Sequence, residues 1–285
     1  MRFVSYEVAG KSGLAVQGGA AWHGLTTNAA GFPGDLLSLI QKGEAALNAA
    51  GQALKAAPQI DLTKVRLLPP ISNPEKVVCI GLNYRDHSAE SGFKQPDFPT
   101  IFGRFNSSLI AHDAPILRPD FSEQLDYEGE LVAIVGKAAW NVSEADGLSH
   151  IIGYSIFNDA SIRDYQFKAP QWTPGKNFDD TGAFGPWFVT ADELPPGCEG
   201  LRLQTRLNGQ VVQDASISDM VFSVAKLVQV LSSFMTLKPG DVIVSGTPSG
   251  VGLARKPPLW MKDGDTVEVE IERIGILSNP VRDRA

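Results

Sequence analysis

Cysteine is nearly absent: the 285 residues contain two, Cys79 inside the apolar run Val77-Val-Cys-Ile80 and Cys198 in a Pro/Gly-rich turn. With no Cys-x-x-Cys spacing, a disulfide framework and a thiolate metal site are both excluded, and a reducing compartment, the cytoplasm, is the expected setting. Long apolar runs are also missing. None approaches the roughly 20 residues that a spanning helix needs, so no membrane association is expected. The opening Met1-Arg-Phe-Val-Ser-Tyr-Glu-Val8 lacks the basic stretch and apolar core of a signal peptide. Basic charge is in deficit, since 25 Lys and Arg against 32 Asp and Glu give a net charge of -7. That balance excludes a nucleic-acid surface, which needs clustered cations to displace counterions. Internal repeats and low-complexity segments are absent too. What is present is a chain 43% apolar, long enough to bury a full core.

Residues 1 to 70 read as a small leading α+β domain. It has a short alternating strand, a second strand near Gly13-Leu-Ala-Val-Gln17, and a helical stretch from Gly34 to Ala57 interrupted by Gly43 and Gly51. Arg66-Leu-Leu-Pro-Pro-Ile-Ser-Asn-Pro74 breaks regular structure with three prolines. Residues 71 to 285 then form the larger domain, rich in short strands: Val77 to Leu82, Leu131 to Val135, Ile151 to Phe157, Leu201 to Leu207, Val242 to Ser245 and Thr266 to Ile271. Asn208-Gly209 predicts a type I' hairpin, and apolar spacing predicts one long helix from Met220 to about Met235. Many strands, few helices and no repeating βαβ unit point to a β-rich α+β fold.

The most informative local pattern is Leu125-Asp-Tyr-Glu-Gly-Glu-Leu-Val-Ala-Ile-Val-Gly136. In an extended chain residues i and i+2 share a face, so Glu128 and Glu130 lie on the side of Val132 and Ile134, the core-facing row of a buried strand. Two carboxylates entering an apolar interior need a cation. The chain carries its own control in Asp265-Thr-Val-Glu-Val-Glu-Ile-Glu-Arg273. There strict alternation puts Glu268, Glu270 and Glu272 opposite Val267, Val269 and Ile271, which predicts an ordinary solvated face. A third acid, Asp159, ends the apolar strand Ile151 to Phe157. Three carboxylates with room for water suit Mg2+, Mn2+ or Ca2+ better than Zn2+.

Other residues offer chemistry with weaker signals. His87 and Glu90 sit three apart, neighbours on one helical turn, as a carboxylate-oriented general base requires; the same spacing also suits a surface contact. His23, His112 and His150 have no such partner and read as structural. The strand and turn Pro239-Gly-Asp-Val-Ile-Val-Ser-Gly-Thr-Pro-Ser-Gly-Val-Gly252 offers backbone N–H groups to an anion such as a carboxylate. It is neither a P-loop nor a dinucleotide fingerprint. Lys176, Arg163 and Gln166 are donors in apolar or aromatic neighbourhoods.

Five ordered segments together resemble the fumarylacetoacetate hydrolase family: Gly81-Leu-Asn-Tyr-Arg-Asp-His-Ser-Ala-Glu90, Asp126-Tyr-Glu-Gly-Glu-Leu131, Asn158-Asp-Ala-Ser-Ile-Arg-Asp-Tyr-Gln166, Gly175-Lys-Asn-Phe-Asp179 and Gly246-Thr-Pro-Ser-Gly-Val-Gly252. The resemblance covers about residues 75 to 282. It implies a mixed β-sandwich roll, a homodimer or higher oligomer, and the two-domain bacterial arrangement. It also implies Glu128, Glu130 and Asp159 as ligands of Mg2+ or Mn2+, and His87 with Glu90 as a water-activating dyad. Lys176, Arg163 and Gln166 would be oxyanion donors, and Thr247 with Gly246 the turn that binds the substrate carboxylate.

The reaction this implies first is hydrolysis of the C3–C4 bond of a 2,4-dioxo acid, an acylpyruvate, to pyruvate and a carboxylic acid. An oxaloacetate decarboxylase or tautomerase, or a dienedioate isomerase, on the same metal-enolate site is the alternative. A protein of another class, holding a metal without catalysis, would show only stabilisation by that metal. The small polar stretch Ser88-Ala-Glu-Ser-Gly92 suggests that residues 84 to 98 form a lid.

Overall fold

The computed structural model describes residues 1–85 and 97–284. His87, Glu90 and most of the expected lid therefore lie outside the described residues. The fold is mixed α and β with several sheets.

The main sheet runs from one edge through Gln59–Ile60, Ala21–Thr26, Lys11–Gly18, Arg2–Val8, Gly182–Thr190, Ile151–Asp159, Gly129–Val135, Val242–Val244, Val77–Gly81 and Thr100–Gly103. The leading segment, expected as a domain over 1–70, shares this sheet with the region that follows: Arg2 and Phe3 pair with Val189 and Phe188. Gly129–Val135 is buried at every position, as an unbroken apolar run in mid-sheet must be.

Alternation along Gly129–Val135 divides the core. Val132 and Ile134 join the helical cover of one face, with Leu36, Ile40, Leu47 and Leu54. Leu131, Ala133 and Val135 face a second sheet and the helix Val224–Ser232, including Leu203, Val267, Val269 and Ile271. Asn208 and Gly209 turn between Arg202–Leu207 and Gln210–Ser216 with φ of 51° and 78°, the positive pair a type I' turn requires. The control glutamates behave as ordinary surface: Glu268 and Glu270 are half-buried and pair with Arg206.

Two helices differ from the sequence expectation. The stretch Gly34 to Ala57 is two helices, Leu36–Lys42 and Glu44–Lys55, because Gly43 takes φ 95° between them. Gly51 does not interrupt the second; a Cβ there would come 2.6 Å from Met1 Sδ and 2.9 Å from Phe3 Cζ, so its bareness serves packing. The helix expected from Met220 spans only Val224–Ser232. Ser223 caps it by accepting from Lys226 N, and ahead of the cap Met220 is bridged to Tyr84 and Val221 N donates to Asn83 O.

Candidate metal centre

Strand register assembles the site. Gly129 stands opposite Asn158 and Glu130 opposite Phe157, and Asp159 N donates to Glu128 O at 2.9 Å. Glu128, Glu130 and Asp159 thus fall on one face of two adjacent strands. Each offers a carboxylate oxygen within 4.8 Å of the others, and their exposures of 5%, 1% and 0% rule out a solvated cluster. On the other side of the Glu-x-Glu strand, Val132 pairs with Val244, which carries Gly246 level with Glu130. Gly246 N donates to Glu130 Oε2 at 2.5 Å. This N–H of the glycine turn is therefore used on one of the protein's own carboxylates. Gly246 has φ 100°, and a Cβ there would approach Asn83 Cβ at 2.7 Å.

The three acids are set among cations. Lys176 Nζ lies 2.7 Å from both Glu128 Oε2 and Asp159 Oδ2. Arg163 Nη2 lies 2.6 Å from Glu128 Oε1 and 2.8 Å from Asp126 Oδ2, and its Nη1 donates to Gln166 Oε1 at 2.8 Å. Lys176 reaches the acids because Thr173–Lys176 packs on Arg163–Gln166, where Gly175 leaves no room for a Cβ: Gln166 N would be 2.4 Å away. Burial by itself would lower the Lys176 pKa, but Asp159 and Glu128 outweigh it and hold the ammonium protonated; Arg163 is likewise held charged against burial by Glu128 and Asp126. Glu130 is pushed well above the usual carboxylate range, first by burial and then by Asp159 and Glu128. A buried carboxyl still short of positive charge, among hard oxygen donors, fits a divalent cation such as Mg2+ or Mn2+.

Two charged members of the centre are not among the residues expected from the sequence. Asp126 is fully buried, accepts from Gly252 N at 2.7 Å and Leu253 N at 2.9 Å, and anchors Arg163. The signal was present, since Asp126 extends the i, i+2 series of Glu128 and Glu130. Arg104 contacts Asp159 Oδ1 and Ala160 O, and is held by Thr181 and Ser108. A lone arginine after Thr100–Gly103 gives no sequence pattern that would find it. The remaining histidines lie outside this cluster, and His112 Nε2, expected without a carboxylate partner, stands 3.3 Å from Asp113 Oδ1. His23 and His150 each bond a backbone carbonyl, and His112 Nδ1 accepts from Ser278 N. Both cysteines are buried, which raises their thiol pKa.

Gly129 joins the two glutamates for a steric reason. A Cβ there would meet Thr205 Oγ1 at 2.2 Å and Val269 Cγ1 at 2.9 Å. Gly129→Ala is expected to cost about 1–3 kcal/mol through overpacking and to weaken metal binding, because Glu128 and Glu130 must shift with it. Paired denaturation and Mn2+ titration check this; a variant with parental metal affinity would refute the coupling.

A pocket opens beside the acids, lined among others by Phe102, Trp172, Gln166 and Thr247. Trp172 and Phe102 meet edge to face at 5.5 Å, and Gly81 makes space for the indole: a Cβ would lie 2.2 Å from it. Residues 76–282 match the family model for the C-terminal region of fumarylacetoacetate hydrolase. The chain belongs to the fumarylacetoacetate hydrolase family. A mitochondrial oxaloacetate tautomerase of Xenopus laevis is 40% identical over 94% of this chain and 85% of its own length. A human mitochondrial oxaloacetate tautomerase is 38% identical over 88% and 80%. A solved fumarylacetoacetate hydrolase from Exiguobacterium antarcticum superposes with a TM-score of 0.86 at 35% identity, covering 100% of both chains. A 5-carboxymethyl-2-hydroxymuconate delta-isomerase from Mycobacterium smegmatis gives 0.78 at 33%, also over 100% of both. Among the described residues no helix is long and apolar enough to cross a membrane.

Proposed function

We propose that this family member catalyses keto–enol interconversion of oxaloacetate, with a divalent cation held by Glu128, Glu130 and Asp159. The observation that carries the substrate is the similarity to oxaloacetate tautomerases across at least four-fifths of their length. This moves the reading from acylpyruvate hydrolysis, expected first from the sequence, to its alternative. A bound divalent cation supplies a Lewis acid that favours the enolate of a 2-oxo acid.

The chain's own residues then have distinct tasks. Tautomerisation takes a proton from C3 and places one on the C2 oxygen, with no attacking water. Lys176, held protonated by Asp159 and Glu128, serves as a donor to a developing oxyanion and not as the base. Arg163 and Gln166, locked together at 2.8 Å, present a fixed polar edge to the ligand. Phe102 and Trp172 wall the pocket with apolar surface and exclude water. His87, with Glu90 as the partner expected from the sequence, is the proposed proton carrier.

The expected result is enol–keto conversion of oxaloacetate, followed by ultraviolet absorbance, at least about 10²-fold faster than with the metal ion alone, and lost on adding EDTA. A rate equal to that of free metal would refute the reading. Hydrolysis of an acylpyruvate is the second reading, supported by the hydrolase neighbour at a TM-score of 0.86. Pyruvate release from an acylpyruvate without acceleration of the oxaloacetate conversion would select it.

A further inference from the structure

Gln213 reaches the site from the second sheet and is 2% exposed. Its Oε1 accepts from Gly129 N at 3.0 Å, and its Nε2 donates to Thr247 Oγ1 at 2.8 Å and to Pro248 O at 2.9 Å. The amide orientation is fixed by two backbone groups that cannot change role. Gly129 N–H can only donate and Pro248 C=O can only accept, so the oxygen faces the first and the nitrogen the second. Thr247 inherits that polarity. Its oxygen accepts a hydrogen bond from Gln213 Nε2, and its own hydroxyl donates to Gly129 O at 3.0 Å. The result is a closed ring, Gly129 N to Gln213 to Thr247 to Gly129 O, built on the glycine between the two metal-binding glutamates.

A hydroxyl has one proton and two lone pairs. In Thr247 the proton and one lone pair are committed, and one lone pair remains on a residue that lines the ligand pocket. The carboxylate-binding role that the sequence resemblance implies for Thr247 needs a donor, whereas its hydroxyl proton is committed and the adjacent Gly246 N–H is also spent, on Glu130. We propose that Gln213 is a positioning residue that fixes the Thr247 proton on Gly129 O, so that Thr247 meets the ligand as a hydrogen-bond acceptor. It then favours a ligand carrying an O–H at that point, the enol of a 2-oxo acid, over one presenting a bare carboxylate oxygen. This rests on the tautomerase reading for its substrate class, whereas the ring itself does not.

The test uses two dicarboxylates that differ by one hydroxyl, tartronate and malonate, titrated calorimetrically into the Mn2+-loaded full chain. Thr247→Val is expected to weaken tartronate about tenfold, one hydrogen bond's worth, and to leave malonate within about twofold, while Thr247→Ser restores the parental ratio. Gln213→Met, which frees the hydroxyl to rotate, is expected to narrow the tartronate-to-malonate ratio. Equal losses for both ligands would identify Thr247 as a donor to carboxylate and overturn the proposal, as would no loss for either. A ligand-free arm decides the ring. Melting of the metal-free Gln213→Met, Thr247→Val and double variants should be non-additive, because each substitution breaks the same bond; strict additivity would overturn the ring. If the Mn2+-loaded parent binds neither dicarboxylate, the tautomerase reading fails, and the melting cycle still decides the Gln213 assignment.

Discussion

Glu130→Gln is expected to raise the melting temperature of the metal-free protein at pH 8 and to remove the further rise that Mg2+ or Mn2+ gives the parent chain. Among the described residues, four carboxylates, Asp126, Glu128, Glu130 and Asp159, stand against three cations, Arg104, Arg163 and Lys176, a formal excess of one negative charge. Glu130 bears that excess, since the hydrogen bond it receives comes from a backbone amide. Its folded pKa is raised by burial, then by Asp159 and Glu128, from the ordinary 4.5. A raised folded pKa gives stability that is fully present below the unfolded value and lost as pH rises through the folded one. The metal-free parent should therefore weaken from about pH 4.5 upward, and the neutral glutamine should escape that loss while keeping an acceptor for Gly246. The gain is on the order of 1 kcal/mol, a few degrees. Metal at 100 times its Kd stabilises the parent by about 2.7 kcal/mol, and the variant should lose nearly all of it. Thermal melts from pH 5 to 9 with and without Mn2+ check both signs. A variant with the parental metal-induced rise would show that Glu130 is not a ligand.

Lys176→Met has the opposite sign. The ammonium bridges Glu128 and Asp159 at 2.7 Å each and is 1% exposed, so removing it leaves two buried carboxylates facing each other. Breaking a buried pair from one side costs about 3–5 kcal/mol, and the metal-free variant should lose stability on that scale in denaturant titrations. Mn2+ should recover part of the loss, because a divalent cation at the same oxygens replaces the missing charge. Turnover of oxaloacetate should fall by about 10²–10³-fold even in metal-saturated protein, the typical effect of deleting an oxyanion donor. Unchanged stability without metal would mean that the ammonium is not what neutralises the pair. Together the two substitutions ask one question: whether the centre is short of positive charge.

The sequence by itself determined the strand face shared by Glu128 and Glu130, because a period of two is local and survives any fold. It also separated that pair from Glu268 and Glu270, since an unbroken apolar run and a strict alternation imply different burial. The hairpin at Asn208-Gly209 was legible for the same reason, as its conformation belongs to the two residues themselves. Helix limits were less so, because Gly43 and Gly51 look alike in sequence and differ only in what packs against them. Only the tertiary structure decided that Asp159 stands beside Glu128, that Arg104 and Asp126 belong to the centre, and that Gly246 N–H is spent on Glu130. Those are matters of register between strands remote in sequence. No local pattern encodes which oxygen a buried donor will face; that choice falls out of the competition among all the polar groups the fold brings together.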